Sequence, residues 1–424
     1  MPAAPLRIAL LGYRGNPYSG GQGIYLKYLS AALVKAGHSV TVIGGPPYPE
    51  LAEGVELVKL PSLDLFNHPN HVRALKLEHL GSRADTFEWW SMLTGGFAEP
   101  YTFGLRLLPW LTLHGHRFDI VHDNQSLCSA LLKLQRRGMP LLATIHHPIT
   151  WDRDIALEHA ADLTSRLFIR RWHSFLRMQT RVARGLNHIV TVSKSSRRDI
   201  ATAFNINASD IHVVHNGIDA TEFYPLDNTE RAPLQLISTA SADQPLKGTT
   251  HLIRALSLLR ETYPSIQLTI IGKPKAGGPT EELITSLKLE DTITFTSGLT
   301  TQEIRELYAK ATIAVVPSEY EGFGLPAGEA MACGVPVVST DGGALPEVVG
   351  DQAVVVKAGS GEALAQGIAE LLEDTERRQA LALGGRKRIL QHFNWDSAAA
   401  QMTELYQSVI VGNSVSVRAG QEIQ

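Results

Sequence analysis

The sequence predicts an α/β fold built from repeated strand–loop–helix units, and three observations support it. Short apolar runs, such as residues 7–12 and 313–316, have the composition of buried strands. Glycine-bearing loops and helical segments follow several of these runs, as they do in sheets with parallel strands. The chain has 424 residues, which is too long for one ordinary domain and suits two or three.

Composition indicates a globular protein of the cytoplasm. Hydrophobic residues make up 44% and charged residues 19% of the chain, and the net charge of −3 does not favour nucleic acid as the main partner. The two cysteines, Cys128 and Cys333, lie far apart and suggest a reducing compartment. The N-terminus has no signal-peptide pattern, and no apolar run reaches the ~20 residues needed to cross a bilayer.

The most informative stretch spans residues 318–338, between two apolar runs that read as buried strands. Within it, Pro326 suits the start of a short helix and Gly334 its end. This strand–glycine loop–helix–strand layout aims backbone N–H groups and a positive helix end at a ligand above the sheet edge. Two carboxylates frame the loop, because Glu321 precedes the glycines and Glu329 lies on the helix.

The pairing of Glu321 and Glu329 around the sequence Glu-Gly-Phe-Gly-Leu-Pro resembles the signature of the retaining GT-B glycosyltransferases. This group (glycosyl transferases group 1, family 4-like) includes glycogen and sucrose synthases and phosphatidylinositol mannosyltransferases. The resemblance implies two doubly wound Rossmann-like domains facing a central cleft that holds a nucleotide diphosphate sugar. It assigns Glu329 to the ribose hydroxyls and Glu321 to the donor sugar. The implied donor contacts also include Gly322, Phe323, Gly324 and Leu325.

The same glycines also fit a competing motif. Gly322, Gly324 and Ala327 match G-x-G-x-x-A, the dinucleotide fingerprint. No clear acidic residue ends a second strand at the expected distance, and Glu321 and Glu329 would have no role in such a site. The nicotinamide interpretation is therefore disfavoured.

The N-terminal segment repeats the strand–loop–helix–strand layout. Residues 7–12 read as a strand, residues 13–23 as a loop and residues 39–43 as the next strand. The loop contains Gly20, Gly21 and Gly23, which would be either a flexible turn or a phosphate-facing loop at the carboxyl edge of a sheet. The resemblance places this loop over the donor diphosphate and near the acceptor.

His146 is a candidate for contact with the donor sugar. It follows the apolar run 141–145 at a strand's carboxyl end, where ligands bind in open sheets. The resemblance places a donor-contacting histidine here. The neighbouring His147 leaves the register open, since adjacent residues of an extended segment point in opposite directions. The alternative is a structural, hydrogen-bonded histidine.

Lys247 is the candidate cation for the donor diphosphate. With Gly248 it stands at a predicted helix start, which places an ammonium and free N–H groups beside an anion. The resemblance assigns Lys247 to this contact and implies an arginine shortly upstream. Residues 239–242 occupy that place and contain no arginine, so another cation or the backbone must hold that part of the diphosphate.

Two regions of the N-terminal half carry alternative interpretations. Residues 61–118 are rich in aromatic side chains and form either core or an acceptor-binding or lipid-contacting lobe. No acidic residue occurs from Arg166 through Arg198, and arginines recur at helical steps in this segment. They form either a solvated helix face or a surface attracted to anionic lipid or an anionic acceptor, which would place the protein on the inner membrane face.

Metal binding is disfavoured. Asp152 and Asp154 form a D-x-D triplet, and His114 and His116 form an H-x-H triplet, but such short patterns are common and lack partners at ligand spacing. We therefore expect no metal and no cofactor.

The predicted organisation has an N-terminal acceptor-binding domain over residues 1–222 and a nucleotide-sugar-binding domain over 223–395. A helix over 396–412 crosses back to the first domain, and residues 413–424 form a frayed tail. The predicted function is transfer of a sugar to an acceptor hydroxyl with retention of anomeric configuration, in cell-envelope or glycoconjugate synthesis. The catalytic candidates are Lys247, Glu321 and His146. The alternatives are a nucleotide-sugar epimerase, a phosphorylase of the same fold, and a binding protein without turnover.

Overall fold

The computed structural model describes residues 4–16, 21–65, 68–158, 160, 162–227, 229–240 and 243–421, with side chains described through 413. The chain divides into two compact units. The first comprises Met1–Val192, Arg197–Val214 and Trp395–Gln424, and the second comprises Ser193–Ser196 and His215–Asn394.

Each unit contains one parallel sheet. In the described part of the first unit the strand order is β3-β2-β1-β4-β5-β6-β7. These strands are β1 Arg7–Gly12, β2 Ser39–Gly44, β3 Glu56–Lys59, β4 Ile120–Asn124, β5 Leu141–Thr144, β6 Ile189–Thr191 and β7 Ile211–Val213. In the second unit the order is β10-β9-β8-β11-β12-β13. These strands are β8 Gln235–Thr239, β9 Gln267–Ile271, β10 Ile293–Thr296, β11 Ile313–Val316, β12 Val337–Thr340 and β13 Val354–Val356.

Helices connect the strands, as parallel pairing requires. They are α1 Gly21–Lys35, α2 Arg83–Leu93, α3 Glu99–His114, α4 Ser129–Arg136, α5 Ile149–Glu158, α6 Leu163–Trp172, α7 Leu176–Gly185, α8 Lys194–Phe204, α9 Thr249–Thr262, α10 Pro279–Leu287, α11 Thr301–Lys310, α12 Leu325–Ala332, α13 Leu345–Val349, α14 Gly361–Glu373, α15 Thr375–His392 and α16 Trp395–Gln421. Short 3₁₀ turns cover His71–Arg73, Leu77–Gly81, Gly115–Arg117, His173–Phe175, Ala208–Asp210 and Pro245–Lys247.

Both sheets have a buried hydrophobic core on the helix-covered faces. Strands β4, β5, β11 and β12 are buried along their whole length, and the burial of β5 and β11 on both faces explains their nearly continuous apolar sequences. In each sheet the chain order reverses once, between β1 and β4 in the first unit and between β8 and β11 in the second. Ligands of open α/β sheets bind beside such a reversal, outside the carboxyl ends of the strands.

The C-terminal helix α16 belongs to the first unit, although its sequence follows the second. Tyr406 is fully buried, and its hydroxyl is hydrogen bonded to His122 Nδ1 of β4 at 2.6 Å. Trp395, the first residue of α16, stacks on Tyr28 with ring centroids 5.7 Å apart. The helix continues to Gln421, so the predicted helix end at 412 and the frayed tail from 413 are wrong over the described residues.

The division into units also differs from the predicted domain bounds. The long segment of the second unit begins at His215, whereas the sequence suggested a boundary between residues 222 and 223. Among the described helices, none combines the length and the apolar character needed to span a membrane.

Candidate functional site

Two predicted site residues of the second unit meet at the reversal of its sheet. Lys247 follows β8 and Glu321 follows β11, and these two strands are neighbours. Lys247 Nζ lies 2.7 Å from Glu321 Oε1. The pair therefore marks the edge of the sheet at which an open α/β fold binds its ligand.

The loops that carry this pair are in direct contact. Glu319 N donates a hydrogen bond to Leu246 O at 2.8 Å. Gly248 has a φ of +63°, and a Cβ atom at this position would lie 2.0 Å from the carbonyl oxygen of Pro317. Only glycine combines this conformation with such a close approach, so the sequence Lys-Gly at this point fixes the distance between the two loops.

The Glu321 carboxylate is held on one side only. Its Oε1 accepts hydrogen bonds from Lys247 Nζ and from Ser318 Oγ, the latter at 2.8 Å. Its Oε2 accepts none from the described residues. The Glu321 side chain is 12% exposed and that of Lys247 is 28% exposed, so a ligand can reach both groups without unfolding the loop.

Backbone donors lie directly beyond Glu321. Helix α12 begins after Gly324, whose φ is +102°. The N–H groups of Phe323, Gly324 and Leu325 donate no hydrogen bond to the part of the chain that the structure describes. Pro326 has no N–H and fits the first turn of the helix. Unsatisfied N–H groups at a helix start bind anions or hydroxyl oxygens.

Glu329 lies on α12, one turn after Leu325. Burial, with a smaller contribution from Glu222, raises the pKa of its carboxyl to about 7. No described residue makes a hydrogen bond with this carboxyl. A carboxylate accepts two hydroxyl hydrogen bonds, one on each oxygen, so Glu329 is suited to vicinal hydroxyls such as those of a ribose.

The second unit also contains residues that sequence reasoning missed. The hydroxyls of Ser193 and Ser196 donate to the carbonyl oxygen of Gly322 at 2.8 and 3.0 Å, which fixes the peptide group that carries the Phe323 N–H. Glu347 accepts hydrogen bonds from Lys194 N and from His215 Nε2, and these bonds lower its pKa against the effect of burial. The one available sequence signal was the position of the two serines shortly after the apolar stretch that forms β6.

In the first unit, the glycines of the predicted loop are partly helical. Gly21 and Gly23 lie in the first turn of α1, so the prediction of a loop through residue 23 is wrong. A Cβ at Gly23 would lie 2.3 Å from the carbonyl oxygen of Asn16, and glycine is needed for this close packing. Gly20 lies outside the described residues. The start of α1 follows β1, which borders the reversal of the first sheet.

The histidine register is defined in the structure. His146 Nε2 donates to Asn124 Oδ1 at 2.6 Å, and His146 N donates to Gln125 Oε1 at 2.7 Å. The ring packs edge-on against Tyr25 at 4.8 Å. Burial and the neighbouring His147 lower the pKa of His146 to about 3, so the ring is neutral at physiological pH. His147 pairs with Asp152 instead.

Asn124 connects His146 to the glycine segment. Its Nδ2 donates to the carbonyl oxygen of Gln22 on α1 at 3.1 Å. Asn124 ends β4 and His146 follows β5, so both stand at the carboxyl edge of the sheet. Sequence reasoning missed Asn124 and Gln125. Their signal was the run of polar residues at the carboxyl end of β4. Lys247, Glu321, residues 322–325 and Glu329 therefore group in the second unit, and His146 groups with Gly21 and Gly23 in the first.

The disfavoured metal motifs have other contacts. Asp152 and Asp154 lie on α5, where Asp154 pairs with Arg153. Within the described ranges, no group of three or more histidine, cysteine, aspartate or glutamate side chains is arranged to hold a metal ion. The position of the expected upstream arginine falls on residues 239–242, of which 241 and 242 lie outside the described residues.

The aromatic and basic regions of the first unit divide between core and surface. Phe97 and Phe103 are buried, whereas Trp90 is 52% exposed. The predicted arginine helix is two helices, α6 and α7, separated by a 3₁₀ turn at His173–Phe175. Arg170, Arg177 and Arg181 are exposed.

Comparison with known proteins identifies the family. The model named Glycosyl transferases group 1 matches residues 227–388, and the model named Glycosyltransferase Family 4 matches residues 19–222. An MMP alpha-(1->4)-mannosyltransferase from Mycolicibacterium hassiacum is 42% identical over 409 residues, which cover 96% of this chain and 98% of that protein. The chain belongs to the GT-B glycosyltransferases.

Other relatives of this glycosyltransferase are named for different activities. A glycogen synthase of Mycobacterium tuberculosis is 28% identical, over 95% of this chain and 94% of that protein. A sucrose-phosphate synthase from Thermosynechococcus elongatus shares the fold, with a TM-score of 0.72 at 23% identity over 96% of this chain and all of that one. Anabaena HepE, solved in complex with UDP-glucose, has a TM-score of 0.69 at 19% identity, covering 95% of this chain and 100% of that one.

Proposed function

We propose that this glycosyltransferase moves a hexose from a nucleotide diphosphate sugar to an acceptor hydroxyl with retention of anomeric configuration and without a metal ion. The Lys247–Glu321 pair at the β8/β11 reversal carries the proposal. It joins a cation suited to a diphosphate and a carboxylate suited to sugar hydroxyls at one edge of one sheet.

In this proposal the second unit binds the donor. The Lys247 ammonium and the N–H groups at the start of α12 stabilise the negative charge that develops on the departing diphosphate. Glu321 Oε2 and the N–H groups of Phe323 and Gly324 contact the donor sugar. Glu329 accepts hydrogen bonds from the ribose hydroxyls. Ser193 and Ser196 act as positioning residues, because they hold the Gly322 carbonyl.

The proposed chemistry is attack on the face from which the diphosphate leaves. The acceptor oxygen forms a bond to the anomeric carbon while the bond from that carbon to the diphosphate oxygen breaks. The acceptor's proton passes to an oxygen of the leaving phosphate, so no protein nucleophile is required. His146 is neutral and can contact the donor sugar through a hydrogen bond without adding charge.

The 42% identical relative is named as a mannosyltransferase, which supports transfer of a hexose to a sugar hydroxyl. A role in glycoconjugate or cell-envelope synthesis in the cytoplasm follows as part of the proposal. A phosphorylase, an epimerase or a binding protein without turnover would share this fold, and each would fail to form a glycosylated product.

Peripheral contact with anionic membranes is a further part of the proposal. Helix α6 exposes Leu163, Leu167 and Phe168 by 79%, 65% and 59%. Exposed Arg170 and Arg177 lie on the same helix and on the next one. Apolar side chains flanked by arginines suit the boundary between lipid headgroups and acyl chains.

The test is consumption of a panel of UDP-, GDP- and ADP-linked hexoses, measured as released nucleoside diphosphate, with NMR of the product's anomeric proton. We expect the wild type to consume one donor and Lys247→Ala to lose about 10- to 100-fold in rate, the loss of one charge-assisted contact. Lys357→Ala is the matched control, because Lys357 pairs with Asp341 at 3.2 Å on the surface of the same unit. Tight nucleotide binding without consumption of any donor, with and without sugar acceptors, would favour the binding-protein alternative.

A further inference from the structure

The turn that follows β4 contains left-handed backbone at residues other than glycine. The φ angle is +52° at Gln125 and +45° at Leu127. This region is unfavourable for residues with a Cβ atom, and it persists where the surrounding structure holds it in place. Such residues cluster at functional sites. Since β4 and β5 are neighbours, the turn lies at the carboxyl edge of the first sheet, beside the residues that follow β5.

The side chain of Gln125 brackets the segment that carries His146. Its Oε1 accepts a hydrogen bond from His146 N at 2.7 Å, and its Nε2 donates to His147 O at 2.8 Å. The backbone N–H of Gln125 donates to Thr144 O at 3.0 Å. A primary amide suits this arrangement because it offers an acceptor and a donor side by side. One residue thus fixes the backbone before and after the His146 ring.

The turn is itself held by side chains of α7 and β4. Gln179 on α7 is buried, and its Nε2 donates to the carbonyl oxygens of Gln125 and Ser126 at 3.4 and 3.1 Å. The Asp123 carboxyl accepts from Leu127 N at 3.0 Å and from Ser126 Oγ. These bonds hold the left-handed backbone in place. Because Gln125 is also buried, its amide faces the segment 144–147 rather than solvent.

The neighbouring Asn124 fixes the ring of His146. Asn124 Nδ2 donates to Gln22 O, so its Oδ1 accepts from His146 Nε2 and the neutral ring carries its hydrogen on that nitrogen. Adjacent residues of one turn therefore hold the ring and the backbone of the same histidine. Pairing of the strands does not require these contacts, because the register of β4 with β5 ends at Asn124 and Thr144.

We infer that Gln125 is a positioning residue for sugar transfer, which holds the His146 segment in the geometry that the donor sugar requires. The inference rests on the proposed function, in which His146 contacts that sugar. Gln125 acts through the backbone of residues 144–147. A misplacement of about 1 Å slows a reaction that depends on orientation, whereas the nucleotide is held by other residues. The expected signature is a loss of kcat with unchanged nucleotide affinity.

Kinetics and binding of matched variants test this signature. Gln125→Met removes both side-chain hydrogen bonds and keeps the length of the side chain. Gln135→Met is the control, because Gln135 in the same unit donates to Gly185 O at 2.9 Å and accepts from Asn187 N at 3.0 Å. We expect Gln125→Met to lower kcat at saturating donor about tenfold or more, with nucleoside diphosphate affinity unchanged within about threefold. Gln135→Met should keep both quantities within about threefold of wild type.

A spectroscopic readout separates positioning from a general loss of stability. Protein labelled with ¹⁵N-histidine gives ring signals for His146, which are assigned by their loss in His146→Gln. We expect the Nε2–H tautomer in wild type and in Gln135→Met, and displaced His146 signals in Gln125→Met. Thermal unfolding verifies the fold of each variant. If Gln125→Met does not fold, Gln179→Met releases the turn without altering residues 144–147 and should change kcat and the His146 signals in the same direction.

The inference fails if kcat in Gln125→Met and Gln179→Met stays within about threefold of wild type. It also fails if the His146 signals do not move in either variant. Absence of donor consumption by the wild type would instead contradict the proposed function. In that case the His146 signals still decide whether Gln125 holds the segment, so the two failures are distinguishable.

Discussion

Lys247 Nζ and Glu321 Oε1 lie 2.7 Å apart although 74 residues separate them in the chain. The ammonium that is proposed to hold the diphosphate therefore faces the carboxylate that is proposed to hold the sugar. Removal of the Glu321 charge should strengthen binding of the diphosphate half of the donor and weaken the contact with its sugar half. We expect Glu321→Gln to bind a nucleoside diphosphate about three- to tenfold more tightly, because Lys247 loses its competing anion. Donor turnover should fall at least tenfold.

Isothermal titration with the nucleoside diphosphate and a coupled turnover assay measure these two quantities. Glu319→Gln is the control, since Glu319 lies in the same loop and pairs with His251 at 2.9 Å. It should change both quantities by less than about threefold. Weaker nucleoside diphosphate binding in Glu321→Gln would contradict the proposed division of roles.

Donor affinity should depend on the ionisation of Glu329. The pKa of this carboxyl is raised to about 7, so it is mostly protonated at pH 6 and mostly ionised at pH 8. If the ionised form accepts the ribose hydroxyls, the dissociation constant should fall as pH rises and reach a plateau above about pH 8. Below pH 7 the dissociation constant should rise by up to about tenfold for each unit by which the pH falls.

This dependence is measured with a nucleotide sugar, whose diphosphate diester has no group titrating near pH 7. Glu329→Gln has the same shape and cannot ionise, so its affinity should be flat between pH 6 and 8.5. A wild-type profile as flat as that of the variant would show that the hydroxyls do not require the carboxylate.

Glu99 should make stability depend on pH. Its pKa is raised from 4.5 to about 8 in the folded protein. The folded state therefore holds the proton more tightly than the unfolded chain, and the associated stabilisation is present below about pH 4.5 and lost as pH rises through 8. Glu99→Gln removes this loss. We expect equal stability of the two proteins near pH 5 and an advantage of about 2–4 kcal/mol for the variant near pH 9.

Urea denaturation of both proteins at the two pH values measures this difference. Glu404→Gln, at an exposed position of the same unit, should show no such change. If Glu99→Gln were less stable than wild type near pH 9, the ionised Glu99 carboxylate would have to make favourable contacts in the folded protein.

The hydrogen bond between His122 and Tyr406 should contribute to the stability of the first unit. Burial lowers the pKa of His122 to about 3, and its neutral ring is hydrogen bonded to Tyr406 and to Thr144, each at 2.6 Å. Tyr406→Phe leaves Nδ1 buried without that partner, which should cost about 1–3 kcal/mol. Tyr263→Phe removes an exposed hydrogen bond to Glu373 and should change stability by less than about 0.5 kcal/mol. Equal thermal shifts for the two variants would contradict the prediction.

The proposed membrane contact should be sensitive to salt. Sedimentation with vesicles containing anionic lipid should recover a larger fraction of protein at about 50 mM salt than at about 300 mM. Arg170→Gln combined with Arg177→Gln should weaken binding about tenfold or more, at roughly 1 kcal/mol per basic residue. Lys310→Gln combined with Lys387→Gln removes the same charge from exposed positions of the second unit and serves as the control. Binding that is equally weak at both salt concentrations would contradict the contact.

The sequence predicted the features that depend on local patterns. The apolar runs identified the strands β1, β2 and β11 with errors of at most one residue, and the Glu321–Glu329 spacing identified the family. The prediction of a loop through Gly21 and Gly23 was wrong because glycine also occurs in helices where close packing leaves no room for a Cβ atom. At Gly23 the carbonyl group of Asn16 takes up that room.

Contacts between distant residues were beyond sequence reasoning. Nothing in the segment around Glu99 indicates that its carboxyl is buried beside Arg14, because that depends on how α3 covers the ends of three strands. The support of Gly322 by Ser193 and Ser196 also joins residues more than a hundred positions apart. The roles of Lys247, Glu321 and His146 in catalysis stay predictions.

Helix α16 has a consequence for synthesis of the chain on the ribosome. The second unit is nearly one continuous segment, His215–Asn394, and all of it is synthesised before α16 is complete. His122 on β4 meets Tyr406 only after 284 further residues have been made. The second unit can therefore reach its native form without the last helix of the first, and released chains that end before Tyr406 should show protease resistance in the second unit only.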